Sequence, residues 1–214
     1  MFDTARFNMV EAQIRTSHVT DPRIHAAMGA VARELFVPRA ARALAYADVP
    51  AAVAPGRYLL DPRSFAKLLQ LAAIQADDRV LDVACGTGYS AAVLARLAAE
   101  VVALEQDADL VRVASELLAN AVGEVEVVQG GLIEGVRGQA PFNVIFVNGA
   151  IEQVPDTLLG QLAEGGRLVT MMRLEGQCRA WLFLKENGQI GRRPDFDADV
   201  PLLAGFRKAM GFVF

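Results

Sequence analysis

The chain is poor in the residues that usually build metal centres and disulfide frameworks. Only two cysteines and two histidines occur in 214 residues. Cys85 and Cys178 are too few for a disulfide scaffold, and a cytoplasmic setting suits them. His18 and His25 lack Cys, His, Asp or Glu neighbours at ligand spacing, so both are read as surface or packing residues and no metal site is expected. No apolar run reaches the roughly eighteen residues of a spanning helix, which argues against a membrane segment. The opening Met1-Phe2-Asp3-Thr4-Ala5-Arg6 lacks a basic stretch followed by an apolar one, so no signal peptide is expected. Basic residues are scattered and the net charge is −4, so nothing foreshadows a nucleic-acid footprint. What remains is a chain with 53% apolar residues and an ordinary 21% charged. That suits one globular domain, or a core domain with a small extension.

The most informative stretch is Arg79-Val80-Leu81-Asp82-Val83-Ala84-Cys85-Gly86-Thr87-Gly88-Tyr89-Ser90. A β-branched run carries an acid, passes a glycine-rich turn and opens into a helix-forming run, Ser90–Ala99. Glycine lets backbone approach a ligand because it has no Cβ and tolerates positive φ. The helix start beyond it offers free N–H groups and the positive end of a dipole. Two ligand classes use such a turn. Gly86-Thr87-Gly88-Tyr89-Ser90-Ala91 fits the dinucleotide pattern, in which a pyrophosphate faces the helix. Asp82 favours the other class, because a carboxylate repels a pyrophosphate and attracts the ammonium and sulfonium of S-adenosylmethionine. Cys85, within the turn, reads as a small packing residue rather than a nucleophile.

Roughly the first 75 residues are expected to be mostly helical. Helices are read at Asn8–Arg15 and at Arg23–Arg33, the latter opened by Thr20-Asp21-Pro22 and closed before Phe36-Val37-Pro38. Ala40–Ala54 reads as a short helix and then irregular, Pro55-Gly56-Arg57-Tyr58 as a turn, and Pro62–Ile74 as a helix capped by Asp61. Pro55–Asp61 is expected to form a mobile lid. Strands and helices then alternate. Strands are read at Val101–Glu105, Val125–Gln129, Phe142–Asn148 and Arg167–Met172. Helices are read at Ala108–Asn120 and Pro155–Leu162. This alternation implies a parallel sheet with helices on both faces. Cys178–Lys185 and Phe206–Phe214 read as antiparallel strands closing one edge.

In such sheets ligands bind beyond the carboxyl ends of the strands. That rule gathers Asp82 with Gly86–Gly88, Glu105 at the end of the second strand, Gln129-Gly130-Gly131 after the third and Asn148-Gly149-Ala150 after the fourth. Glu105 suits vicinal ribose hydroxyls, Gly130 and Gly131 an adenine, and Asn148 the reacting centre.

With these segments in place, the chain resembles the protein-L-isoaspartate (D-aspartate) O-methyltransferases over nearly its whole length. The resemblance rests on Val31-x-Arg33-Glu34-Leu35-Phe36-Val37-Pro38, on Val80-Leu81-Asp82 through Gly86-Thr87-Gly88-Tyr89-Ser90, on Leu104-Glu105, and on Gly165-Gly166-Arg167-Leu168-Val169. It implies a doubly wound, mostly parallel, Rossmann-like methyltransferase sheet at 76–214, preceded by a helical, acceptor-side extension at 1–75. It implies S-adenosyl-L-methionine as donor and S-adenosyl-L-homocysteine as product. The acceptor it implies is the α-carboxylate of an isoaspartyl residue in a protein or peptide. Its donor residues map to Asp82, Ala84 (in place of the first glycine), Gly86, Gly88, Tyr89, Glu105, Gln106, Gly130, Gly131 and Asn148. The departures fall on the acceptor side. Tyr58 and Leu60 stand where the family carries Thr and Ser, and Asn148-Gly149-Ala150 replaces Thr-Ala-Ala. The family's Gly-Asp-Gly is Gly130-Gly131-Leu132, without its acid. Tyr58, Leu60 and Asn148 are therefore the candidate reaction-side residues, with Arg57 as a cation able to meet an acceptor carboxylate. Three readings stay open: an isoaspartyl methyltransferase, a methyltransferase with another acceptor, and a non-catalytic donor-binding protein.

Overall fold

The computed structural model describes residues 1–123 and 125–206. Helix α1 (Phe2–Asn8) opens the chain and widens into a π turn at Met9–Ile14, followed by a 3-10 turn at Arg15–Ser17. Regular helix therefore precedes the expected Asn8–Arg15, and the π turn buries Met9, Val10 and Ile14. Helix α2 (Pro22–Ala30) starts as expected, with the Asp21 carboxylate accepting from the Arg23 N–H. It ends at Ala30 because Val31 is extended, and Arg33 falls in a separate 3-10 turn, completely buried.

A larger correction concerns the passage read as irregular. It forms a hairpin of β1 (Ala51–Ala54) and β2 (Arg57–Leu59), paired antiparallel around Pro55-Gly56. Arg57, Leu59, Leu60 and Asp61 are buried, so most of the expected lid packs on the body of the protein. Helix α3 (Pro62–Ala72) is capped by Asp61, which accepts from the Ser64 N–H at 2.8 Å. It stops at a left-handed Ala73 instead of reaching Ile74.

The rest of the chain is β3 (Arg79–Val83), α4 (Tyr89–Leu94), β4 (Glu100–Glu105), α5 (Ala108–Ala121), β5 (Glu126–Gln129), β6 (Phe142–Ile151), α6 (Asp156–Leu159), β7 (Leu162–Leu174), β8 (Gln177–Glu186) and β9 (Gln189–Asp197). They form a seven-stranded sheet in the order β5-β4-β3-β6-β7-β8-β9. Pairing is parallel from β5 to β7 and antiparallel from β7 to β9. Both α4 and α6 are shorter than expected, and β7 begins at Leu162, where the Pro155–Leu162 helix was to end. Strand β9 takes the edge expected for Phe206–Phe214. Phe206 lies outside any strand, and 207–214 lie outside the described residues.

Alternation along the strands sorts the core into two layers. Val80, Ala103, Val144, Phe146 and Val169 face α3, α4, α5 and the amino-terminal segment. Leu81, Val102, Leu104, Ile145 and Leu168 face α6 and the 200–206 segment. The first 75 residues thus share a core with the sheet. Residues 200–206 are tied to β6: Ala150 N–H donates to Pro201 O, Leu203 N–H to Ala150 O, and Leu202 bridges Ala150 in parallel.

Arg167 on β7 locks α3 to the sheet. Its guanidinium donates to Ala72 O and Ala73 O and pairs with the buried Asp78. Arg167→Met strands two carbonyls and a carboxylate, so a loss of about 2 kcal/mol is expected. Urea unfolding checks it, and a midpoint unchanged from wild type would refute the anchoring role.

Candidate active site

Strand order reverses at β3, whose neighbours are β4 on one side and β6 on the other. Side chains from different strands meet beyond that point. The turn after β3 is built from left-handed residues: Ala84 at φ +61, Gly86 at φ +58 and Gly88 at φ +95. Gly88 caps α4, accepting from the Ala92 N–H at 2.9 Å. Thr87 ties the turn to the amino-terminal segment by donating its hydroxyl to Phe36 O at 2.6 Å.

Asp82 is completely buried. Ser90 Oγ donates to its Oδ2 at 2.6 Å, and Asn148 Nδ2 donates to its Oδ1 at 2.5 Å. Burial pushes its pKa to about 7, against the opposing pull of those two donors; the charge of Glu105 adds to the rise. The acid read as a partner for a cation therefore stands behind two polar side chains.

Glu105, also fully buried, is the most heavily bonded side chain here. Its Oε1 accepts from the Gln106 and Asp107 N–H groups at 2.7 and 3.1 Å, and its Oε2 from the Gly86 N–H at 3.1 Å. Arg57 Nε, from β2, lies 3.1 Å from both oxygens. That ion pair joins residues 48 positions apart and has no local signature.

The other expected residues divide. Asn148 joins Asp82 and also donates to Val83 O at 3.2 Å. Gln106 contributes its backbone, while its side chain is exposed. Gly130 N–H donates to Glu105 O at 3.0 Å. A Cβ built on Gly131 would meet Glu134 Oε2 at 2.2 Å, so the Glu134 carboxylate fills the space of the missing side chain. Glu134 went unread because it lies three residues later, in a turn. The Tyr89 ring packs in the core against Phe36 and Phe65, with the Arg33 guanidinium 4.8 Å from its centroid. Arg33 donates to Ala45 O and Leu60 O, each at 2.6 Å, and so pins the residue at the family's Ser position. Burial raises the Cys85 thiol well above its usual value, in line with a packing role. His25 is likewise a packing residue, its Nε2 2.8 Å from Val19 O. Among the described residues no group of three or more His, Cys, Asp or Glu suits a metal, and no helix is long and apolar enough to cross a membrane.

Tyr58, Leu60, Phe65, Ala84, Ser90 and Asn148 surround a cavity of about 10 Å³. That is the room of a single water. The chemistry of the surrounding groups fits a sulfonium nucleoside, whereas the space is filled by the hairpin. A strand-order reversal in a parallel sheet, a left-handed glycine turn and an acid ending the next strand make a Rossmann-like nucleotide site, and the buried Asp82 suits it to the cationic donor of an S-adenosylmethionine-dependent methyltransferase. The sequence model of the Protein-L-isoaspartate(D-aspartate) O-methyltransferase family matches residues 5–197. The chain belongs to that family.

Similar proteins carry the same description. A protein-L-isoaspartate O-methyltransferase of Methanoculleus marisnigri is 41% identical over 77% of this chain and 75% of its own. One from Rhodopseudomonas palustris is 36% identical over 91% of each. A solved protein-L-isoaspartate O-methyltransferase superposes with a TM-score of 0.79 at 25% identity, over 96% of this chain and 66% of that one. A Plasmodium falciparum chain assigned to the same activity, solved with S-adenosyl-L-homocysteine, shares the fold at TM-score 0.79 and 20% identity, over 94% of this chain and 97% of its own.

Proposed function

We propose that this methyltransferase acts on the carboxylate of an isoaspartyl residue in a protein or peptide. The family match over residues 5–197 supports the acceptor, and the observation that carries the donor is the pair of buried acids, Asp82 and Glu105, closing adjacent strand ends around the glycine turn. S-adenosylmethionine supplies an electrophilic methyl group on a cationic sulfur. Glu105 would accept its ribose hydroxyls, and Gly86 and Gly88 let the backbone come close. Glu134 stands beside Gly131 as the acid for the adenine amino group. Asp82 biases the crevice toward a cation, and Ser90 and Asn148 hold it in place. The acceptor carboxylate is already ionised near neutral pH, so the chain needs no general base. Its work is alignment and exclusion of water, and positioning alone supplies about 7–11 kcal/mol. A cleft of about 330 Å³ beside the hairpin, lined by Asp48, Asp61, Arg63, Lys67, Phe196 and Asp197, offers mixed charge to a polypeptide. A cytoplasmic setting belongs to the same reading, and the two free cysteines, Cys85 and Cys178, support it.

Leu60 offers the acceptor no hydrogen bond, and its side chain borders the small cavity. Leu60→Ser restores a hydroxyl at the family's position. One well-placed donor is worth roughly a hundredfold in turnover, so this variant is expected to methylate an isoaspartyl peptide at least tenfold faster than wild type. Transfer of labelled methyl measures it. An unchanged rate in a folded L60S protein points to an acceptor other than isoaspartate.

A further inference from the structure

The Arg57 guanidinium occupies the edge of the Glu105 carboxylate that the backbone leaves open. Its Nε is 3.1 Å from Oε1 and 3.1 Å from Oε2 of Glu105, which places it on the edge joining the two oxygens. A vicinal diol that bonds a carboxylate through both hydroxyls uses that same edge. The remaining Glu105 contacts come from the backbone of Gly86, Gln106 and Asp107, on the turn and at the start of α5, and cannot yield without moving those elements. Arg57 can. It lies beside the hairpin tip, where Gly56 has open space around its Cβ position and Tyr58 is 37% exposed. The chain just past the hairpin is held by the Arg33 bond to Leu60 O, whereas Pro55 and Gly56 at the tip are exposed and leave the Arg57 side chain room to turn away. Val53 lies over the turn, 3.5 Å from a Cβ built on Gly86.

We propose that Arg57 sets donor affinity by competing with the donor's ribose for Glu105. The inference rests on the reading of Glu105 as ribose acceptor. In the closed crevice the protein supplies its own cation to this acid. A donor must displace that cation, so apparent affinity falls by the fraction of molecules that are closed. Arg57 is 8% exposed and Glu105 fully buried, so salt screens the pair little and the competition persists at ordinary ionic strength.

Titration calorimetry with S-adenosyl-L-homocysteine tests this directly, without turnover. Glu105 keeps its three backbone donors in Arg57→Gln, so the variant retains its anchoring. R57Q is expected to bind S-adenosyl-L-homocysteine tenfold or more tighter than wild type. Arg57→Lys keeps the charge but loses the planar fork, and should fall between them. Should R57Q fail to fold, R57K alone decides: tighter than wild type supports competition, equal or weaker overturns it. Equal or weaker binding by a folded R57Q overturns it too. If neither wild type nor variants bind, the donor reading itself fails, which is a different result from binding that ignores Arg57.

Discussion

Asp82→Asn should weaken S-adenosylmethionine binding at pH 8 by about a hundredfold and yet leave a more stable protein. The first effect is electrostatic. Ser90 and Asn148 cover both oxygens of Asp82. A cation therefore sits beyond them, at a separation of about 6 Å, where a unit charge pair is worth about 3 kcal/mol in a partly buried site. S-adenosyl-L-homocysteine, with neutral sulfur, should lose less. The second effect follows from the carboxyl's displaced titration. An unfolded Asp ionises near 3.8, and Asp82 in the fold near 7. Between those values the folded protein keeps a proton that the unfolded chain releases, so Asp82's stabilising contribution is complete below pH 3.8 and disappears as pH rises through 7. The gap corresponds to about 4 kcal/mol. Asparagine has no proton to lose, and it can still accept from Asn148 and donate to Ser90. Wild-type donor affinity should accordingly rise with pH up to about 7 and level off, whereas D82N stays flat. Calorimetry at pH 6, 7 and 8 with urea melts at the same values measures both. A wild-type affinity independent of pH would sink the assignment.

Gly88→Val is the second large change. A β-branched residue at φ +95 is strained by about 1–2 kcal/mol or more. Its Cβ would also stand 3.0 Å from Leu118 Cδ1 and Cγ on α5, and such overpacking adds about 1–3 kcal/mol. The sum, about 4 kcal/mol, should lower the melting temperature by roughly 10 °C in a chain of this size. Gly86→Ala is the contrast. Its Cβ meets only Val53, at an ordinary 3.5 Å, so the backbone term is nearly all it costs. Similar melting losses for the two would mean that α5 does not press on the turn.

Local chemistry made much of this molecule readable. Asp21 and Asp61 cap α2 and α3 because a short carboxylate reaches the N–H groups just ahead of it, and that signal needs nothing distant. Phe142–Asn148 is buried on both faces, so its strand shows as an unbroken apolar run. The hairpin was invisible for the opposite reason. Ala51-Ala52-Val53-Ala54 has weak strand character, and its position depends on Arg57 meeting an acid far along the chain. Strand β9 is exposed nearly throughout and contains Gly191 and Pro194, so no alternation marks it. In the site, the carboxylates and glycines of the donor turn were legible from spacing. That Asn148 and Ser90 would occupy both oxygens of Asp82, that Glu134 would fill the space at Gly131, and that Arg33 would hold Leu60 are facts of three-dimensional proximity.

The bond between residues 200–206 and β6 has a consequence for how the protein is made. Gly149 and Ala150 leave the ribosome some fifty residues before Leu203 and Pro201. Until then the backbone of Ala150 lacks those two partners, and Leu203 does not yet cover Gly149. The wall beside Asn148 is finished only when this last segment docks. A stalled nascent chain ending before residue 200 would carry every glycine and acid of the donor turn and still lack part of its frame.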